Sequence, residues 1–438
     1  MNGAWLRQFW ADLLSRFWLR PAVMTLAAIL LAQGLVMVEG VRLPAWLESW
    51  VYAGGISGAR GVLGAIAGAS IGVAGTMFSI TVAALTLATQ QMGPRLLGNF
   101  TRDAGNQYAL GTFVATFAFS LVALRSVHEA ENGAFVPQLA VSTALLLAGA
   151  CVAMLVWFIH HVASSINLDR VVALVEADLS AALHALPERG DGAPVPPAGG
   201  DPAGPAAPLR ARGSGYLRVL DDAALADWAE GAGAVLRFAV RPGGFVFPGS
   251  TVGEVTPAAL REEAEAALAS AMSLGNTRNV EQDLEFAVRQ MVEIGMRALS
   301  SGINDPFSAV NVLDHLGASL CEAARREFPD GITWRDGVAR VSRPTTDYAG
   351  LVDAMFHMLR QSAADQPAVM IRLIEVIGAV AGVEHDPARR AVLRRHLDLA
   401  HDAALAGCDD PSVRAAVAER ADAASRALSQ DARLADAA

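Results

Sequence analysis

The chain has 438 residues, room for two or three domains, and 53% of them are hydrophobic. A mean hydropathy of +0.35 is too high for an ordinary water-soluble protein and fits one that is half membrane. A net charge of −10 argues against nucleic acid as a partner.

Residues 1–20 set Arg7, Arg16 and Arg20 among Trp5, Trp10 and Trp18, a mixture suited to a helix lying in the membrane interface. The apolar run that follows ends at Glu39–Arg42 with no convincing small-residue cleavage site, so it reads as an anchor rather than a signal peptide. That first span covers 21–38. The connection to Arg60 carries Trp46, Trp50 and Tyr52, aromatic residues expected at a membrane surface.

The second span, about 61–92, lies within a stretch from Gly61 to Pro94 that holds no Asp, Glu, Lys or Arg and is closed by Arg60 and Arg95. As one helix the stretch would be roughly 50 Å long, against a hydrocarbon core of about 30 Å. The helix must tilt, break or project. Gly61, Gly64, Gly68, Gly72, Gly75, Ser79, Ala83, Thr86 and Gln90 recur in steps of three and four and share one face. Val62, Ile66, Val73, Met77, Ile80 and Leu87 suit lipid or apolar neighbours. Two readings of the small face stand. It is a seam that lets helices approach closely, or in an oligomer it lines a narrow path for ions or a small solute, with Gly68, Gly72, Gly75, Ser79, Thr86 and Gln90 facing the path.

Uncharged runs at Ala104–Leu124 and Asn132–Ile159 give the third and fourth spans, about 106–124 and 137–160. The N-terminal arginines and the pair Arg95 and Arg102 lie on one side; the other connections balance Arg against Glu39, Glu48, Glu129 and Glu131. The positive-inside rule then places both termini in the cytoplasm. No ionisable residue falls mid-span, which disfavours a proton- or sodium-coupled pump. His160 and His161 stand at a span end, where headgroup level is a better account than metal.

A helical extension follows at 166–186, then a Pro/Gly/Ala linker at 187–208. Residues 209–260 form a small β unit. Tyr216–Leu220, Val235–Val240, Phe245–Phe247 and Thr251–Val255 are its strand candidates, with a turn at Pro242-Gly243-Gly244. Neither GxxxxGK[ST] nor GxGxxG occurs there, so a nucleotide site is not supported.

Residues 261–438 read as a helical cytoplasmic domain. Asn279 with Gln282 resembles a capping box. Leu284, Val288, Met291, Gly295 and Leu299 form the buried face of the helix that follows. Arg289, Glu293 and Arg297 lie four apart on an adjacent stripe, so Arg289 is expected to pair with Glu293. Gly302 is placed to end that helix in a left-handed conformation. Asn304-Asp305-Pro306 then opens the next one, with Asp305 as N-cap and Pro306 at the first helical position. From Asp347 the chain reads as helical throughout, punctuated by Pro367, Pro387 and Pro411.

The sequence carries no catalytic or metal-binding motif. The nine histidines are scattered, His396 and His401 are five apart, and no HExxH occurs. Cys151, Cys321 and Cys408 form no CxxC and read as free thiols in a reducing compartment. Ser300 and Ser301 near Asp305 have no histidine within the motif, so no triad can be argued.

Two stretches resemble a known family. One is Gly75-Thr76-Met77-Phe78-Ser79-Ile80-Thr81 with Gln90-Gln91 and Gly93-Pro94-Arg95. The other is Arg289-Gln290, Ala298-Leu299-Ser300 and Gly302-Ile303-Asn304-Asp305-Pro306 with Ala309. Together they are similar to the bacterial predicted membrane proteins called domain of unknown function 2254, over nearly the whole chain. The chain departs at Phe307, where the family often has Thr. The resemblance implies an integral inner-membrane protein and brings no established activity with it.

The expected fold class is membrane α-helical, four transmembrane helices with a cytoplasmic α+β tail that is mostly helical. The expected function is a homo-oligomeric channel or pore for ions or small solutes, lined by the Gly61–Gln90 helix, with the tail as assembly and vestibule domain. The alternative is a membrane-anchored scaffold or sensor whose tail docks a partner, with Arg289, Gly302, Asn304, Asp305 and Pro306 as the cytoplasmic motif. Expected partners are the lipid bilayer, further copies of the chain, and ions or a small solute. Neither an enzyme, a cofactor nor a metal is expected.

Overall fold

The computed structural model describes residues 17–39, 52–92, 103–130, 133–165, 168–190, 204–278 and 282–430, and the chain divides into two units, Met1–Arg170 and Val171–Ala438. The expected interfacial segment before residue 17, Trp46 and Trp50, Arg95 and Arg102, most of the linker, Asn279 and the end of the tail lie outside the described residues.

Among its described residues the first unit holds four helices long and apolar enough to cross a membrane: α1 (Leu19–Met37), α2 (Ile56–Met92), α3 (Ala104–Ser126) and α4 (Gln138–Ser165). The third is the hub. Half of its apolar window is buried against its neighbours, compared with 17% for α1 and α2 and 22% for α4. Small residues make this possible. Ala32, Ala59, Ala123, Ala140 and Ala144 line one core with Leu63 and Phe119, and Ala74 and Ala109 line another with Phe113 and Phe158. Gly111 marks the closest approach, since a Cβ there would lie 2.5 Å from Met24 Sδ and 3.3 Å from Pro21 Cα of α1.

The helix ends are tied by polar contacts. Asp103 caps α3 by accepting from the Gly105 amide at 2.8 Å. Glu39 accepts from the Gln138 and Leu139 amides at the start of α4, at 2.9 and 3.3 Å. These are orphan amides of a helix N-terminus, where a carboxylate is favoured. A short hairpin, β1 (His128–Ala130) with β2 (Gly133–Phe135), joins α3 to α4. The second span runs unbroken for 37 residues, which removes the broken-helix reading; at 1.5 Å per residue it is roughly 55 Å long.

The second unit opens with α5 (Leu168–His184), in the place of the expected extension, and most of that helix falls within this unit. Its first part is α+β. The strands are β3 (Ala207–Arg210), β4 (Gly215–Leu220), β5 (Val235–Phe238), β6 (Phe245–Val246), β7 (Thr251–Thr256) and β8 (Met272–Gly275), and α6 (Asp222–Ala232) and α7 (Arg261–Ala271) pack with them. The helices α8 (Leu284–Ala298) and α9 (Pro306–Ala323) follow, then a hairpin of β9 (Ile332–Arg335) and β10 (Val338–Ser342). The chain continues as α10 (Tyr348–Ser362), α11 (Pro367–Ala381), α12 (Pro387–Gly407) and α13 (Pro411–Gln430).

Among the described residues these strands form a five-stranded sheet in the order β3-β7-β5-β10-β9 and a three-stranded one in the order β6-β4-β8. The strands expected near 216, 235, 245 and 251 are all present. The sheet is nevertheless completed from the region expected to be helical, because β10 runs parallel to β5 with Val341 opposite Leu236.

Helices α9, α11, α12 and α13 start at the prolines that predict them. Proline stands at the first turn of α9, α11 and α12, and Asp305 and Asp386 supply side-chain caps for α9 and α12. Gln282 departs from its expected role. It clamps strand β4 instead, accepting from the Leu220 amide at 3.0 Å and donating to the Leu220 carbonyl at 3.2 Å. Gly295 lies on the buried face as expected, and a Cβ there would sit 2.7 Å from Leu359 of α10.

Candidate functional site

The buried side of α2 is formed by Ala59, Leu63, Ala67, Ser70, Ala74 and Met77, which pack inside the first unit. Met77, expected on the apolar side, is there; Val62, Ile66 and Val73 flank it half-buried, while Ile80 and Leu87 are exposed. The small face points the other way. Gly61, Gly64, Gly68, Gly72, Gly75, Ser79, Ala83 and Thr86 are all exposed. At each of those five glycines an added Cβ would meet no atom of the described residues within 4 Å. Among the described residues, nothing of the same subunit packs on this face. Gln90 lies in the last turns of the helix, and its side chain is outside the described ones.

What surrounds the stripe sharpens the contrast. Other uncovered helix surfaces of this unit carry large apolar side chains: Leu26 and Leu30 on α1, and Leu146, Val152 and Ile159 on α4. Along α2 the exposed large apolar residues are Ile71, Phe78, Ile80, Val82 and Leu87, all after Ser70. Up to Ser70 its exposed positions are Ser57, Gly58, Arg60, Gly61, Gly64, Ala65, Gly68 and Ala69. The stripe's hydroxyls are satisfied locally, since Thr76, Ser79 and Thr86 donate to the carbonyls of Gly72, Gly75 and Val82 at 3.1, 3.0 and 2.9 Å. Such back-bonding lets a hydroxyl sit in an apolar setting at little cost while its oxygen can still accept.

A second polar group is buried inside the bundle. Cys151 Sγ donates to Thr116 Oγ1 at 3.3 Å, and Ser70 and Ser120 are buried in the same bundle. Near the start of α3, His161 Nε2 lies 2.6 Å from Asp103 Oδ2 and its ring stacks on Trp157 with centroids 4.6 Å apart. His161 thus pairs with a helix cap.

In the second unit, Asp305 caps α9 through the Ser308 amide at 3.2 Å and Pro306 stands in the first turn. Hydrogen bonds from the Ser308 side chain, and then its amide, hold the Asp305 carboxyl below its ordinary range against the opposing effect of burial. The left-handed residue of this loop is not Gly302. It is Asn304, with φ 49°, and its amide donates to the Ser300 carbonyl at 2.8 Å while the Asp305 amide reaches Ala298 at 2.7 Å. Asparagine is one of the few non-glycine residues that visits this region readily. Gln366 Nε2 approaches Asn304 Oδ1 at 3.5 Å.

Arg289 does not join that loop. It stands in the first half of α8, roughly 14 Å along the axis from Ala298. Its partner is Glu285 at 2.8 Å rather than Glu293; Glu293 pairs with Arg297 at 3.4 Å. Glu285 is buried and is also met by Arg241 at 2.6 Å. Burial pushes its carboxyl up, but Arg289 and Arg241 outweigh burial and hold it below the ordinary glutamate value. The motif thus resolves into two places, a helix-surface ion network and an interhelical turn.

One cluster was missed from sequence. Asp353 and His357 of α10 meet His396 of α12, and their ligand atoms lie within 4.8 Å of one another. The legible half of the signal was Asp353 and His357 at i and i+4; the other half needs the packing of α10 on α12.

Four apolar helices of spanning length, followed by a mostly helical α+β unit, define a multi-pass membrane protein. The profile of the family described as predicted membrane protein (DUF2254) matches residues 14–379, and the chain belongs to that family. It is 32% identical over 405 residues to the uncharacterized protein MT1328 of Mycobacterium tuberculosis CDC 1551, covering 89% of this chain and 77% of the relative. The same identity and coverage hold for the uncharacterized proteins Mb1321c of Mycobacterium bovis and Rv1290c of Mycobacterium tuberculosis H37Rv. No solved structure matches the chain.

Proposed function

We propose that the protein is a homo-oligomeric channel for ions or a small solute in the bacterial inner membrane, a passive path rather than an enzyme. Copies of α2 line the path with Gly68, Gly72, Gly75, Ser79, Thr86 and Gln90, and the second unit sits in the cytoplasm as assembly and vestibule domain. The arginines at 7, 16, 20, 95 and 102 support that orientation. The observation that carries the reading is the uncovered small face. Its side chains bury little apolar area against acyl chains, and its glycines permit close backbone approach. Among the described residues, no helix of the protomer covers it.

The test is single-channel recording of purified protein in planar bilayers, together with its mass in detergent. An oligomer with conductance that Gly75→Leu or Ser79→Leu suppresses is expected. A monomer, or an oligomer silent under every ion and tension tried and indifferent to both substitutions, removes the reading.

One observation favours a second reading, a membrane-anchored scaffold or sensor. Phe307 and Ile303 flank the Asn304–Pro306 turn at 82% and 44% exposure, an apolar pair suited to docking. Under this reading Phe307→Ser abolishes capture of a partner by the second unit and leaves the α2 variants without effect.

A further inference from the structure

The geometry points to a binding site for a divalent transition-metal ion of the zinc class, held by Asp353, His357 and His396 of the second unit. Asp353 and His357 are four apart on α10, so both project from one face of that helix. His396 comes from α12, which packs on α10. Asp353 Oδ1 lies 3.3 Å from His357 Nε2 and 2.7 Å from His396 Nε2, and the two imidazole centroids are 5.0 Å apart.

Those separations are near what an ion requires. Bonds of about 2.0–2.2 Å at tetrahedral angles put neighbouring donors roughly 3.3 Å apart. The Asp353–His357 spacing has that value already, and the Asp353–His396 contact needs to open by roughly 0.6 Å. Two imidazoles with one carboxylate suit zinc, cobalt, nickel or iron(II) and not calcium or magnesium, which take oxygen ligands.

Access is open on one side only. His396 is 1% exposed, whereas Asp353 and His357 are 35% and 38% exposed. The ion would rest on a fixed buried ligand and keep a fourth position toward water. It would also tie α10 to α12.

Two features weaken the site and make it testable. Arg395 donates to Asp353 Oδ1, the same oxygen an ion would use, and places a cation beside it. His396 Nδ1 has no hydrogen-bond partner among the described residues. An outer acceptor there is usual for a ligating histidine, and its absence costs about 10- to 100-fold in affinity.

The experiment uses the full-length, tag-free protein in detergent, stripped with chelator and titrated with Co²⁺ and then Zn²⁺. One ion per chain is expected, with visible cobalt absorption bleached by zinc and unaffected by excess Mg²⁺ or Ca²⁺. His357→Ala and Asp353→Asn, both at half-exposed positions, should each weaken binding by more than about tenfold while keeping the wild-type circular dichroism. Arg395→Gln should tighten it, because a competing cation is gone. Absence of stoichiometric binding, or binding that His357→Ala and Asp353→Asn leave unchanged, overturns the proposal.

Discussion

At the scale of single residues, the Asn304–Asp305 turn is where a backbone role and a ligand role make opposite forecasts. Asn304 holds a left-handed φ of 49°. Alanine there should cost about 1 kcal/mol, and glycine should restore stability fully, since it adopts this region freely. If Asn304→Gly melts as early as Asn304→Ala, the amide matters for itself and not for its conformation. Asp305→Ala should remove about 1 kcal/mol by exposing the first amides of α9. Glu285 adds a pH signature. Its folded pKa is held below 4.5, so the stability it contributes is present above that value and is lost as pH falls through the folded pKa. Wild type should therefore lose stability more steeply below pH 4.5 than Glu285→Gln, whose cost at neutral pH should be about 1–3 kcal/mol. Parallel acid denaturation profiles for the two would mean that the Arg241 and Arg289 pairs contribute nothing.

At the scale of elements, two glycines on neighbouring helices should behave in opposite ways. Gly111 sits where α1 crosses α3, and even one methyl would press on Met24 and the Pro21 backbone. Gly111→Ala should destabilise the first unit by about 1–3 kcal/mol. Gly72 faces no atom of the described residues, so Gly72→Ala should leave the protomer's melting temperature in detergent unchanged or slightly higher. Equal losses at both sites would mean that the small face is covered within the subunit.

The same elements show what a sequence discloses. The four spans were readable because charge-free runs of spanning length are demanded by the bilayer itself. The Asp305-Pro306 start was readable because capping is local chemistry. The parallel pairing of β10 with β5 was not, since it joins residues some hundred positions apart and leaves no local trace. Helix α6 lay unread inside the expected β unit because turn signals and strand candidates on either side drew the assignment. Gly302 was chosen as the left-handed residue on composition, yet the turn places that conformation two residues later, at Asn304. The stripe on α2 was visible as a periodicity. Whether it was covered depended on how α3 and α4 packed, which periodicity does not encode.

At the scale of the whole molecule, the uncovered face predicts which surface meets another copy. In a ring of protomers about an axis, positions on the stripe approach their equivalents and positions on the lipid side do not. Cysteine cross-linking in native membranes reads this directly. Cys321 and Cys408 would first be replaced by serine, while Cys151 is buried and can remain. Single cysteines at Gly68, Gly72 or Ala83 should then give dimers under mild oxidation. Cysteine at Leu146, 74% exposed on α4 among large apolar neighbours, should give none. Because a disulfide needs Cα atoms within about 7 Å, strong dimers at Gly68 with weaker ones at Ala83 would place the narrowest approach in the glycine half of α2 and a widening toward its hydroxyl half. Dimers at Leu146 and none along the stripe would put α4 at the interface, leave α2 facing lipid, and take away the basis for a path along it.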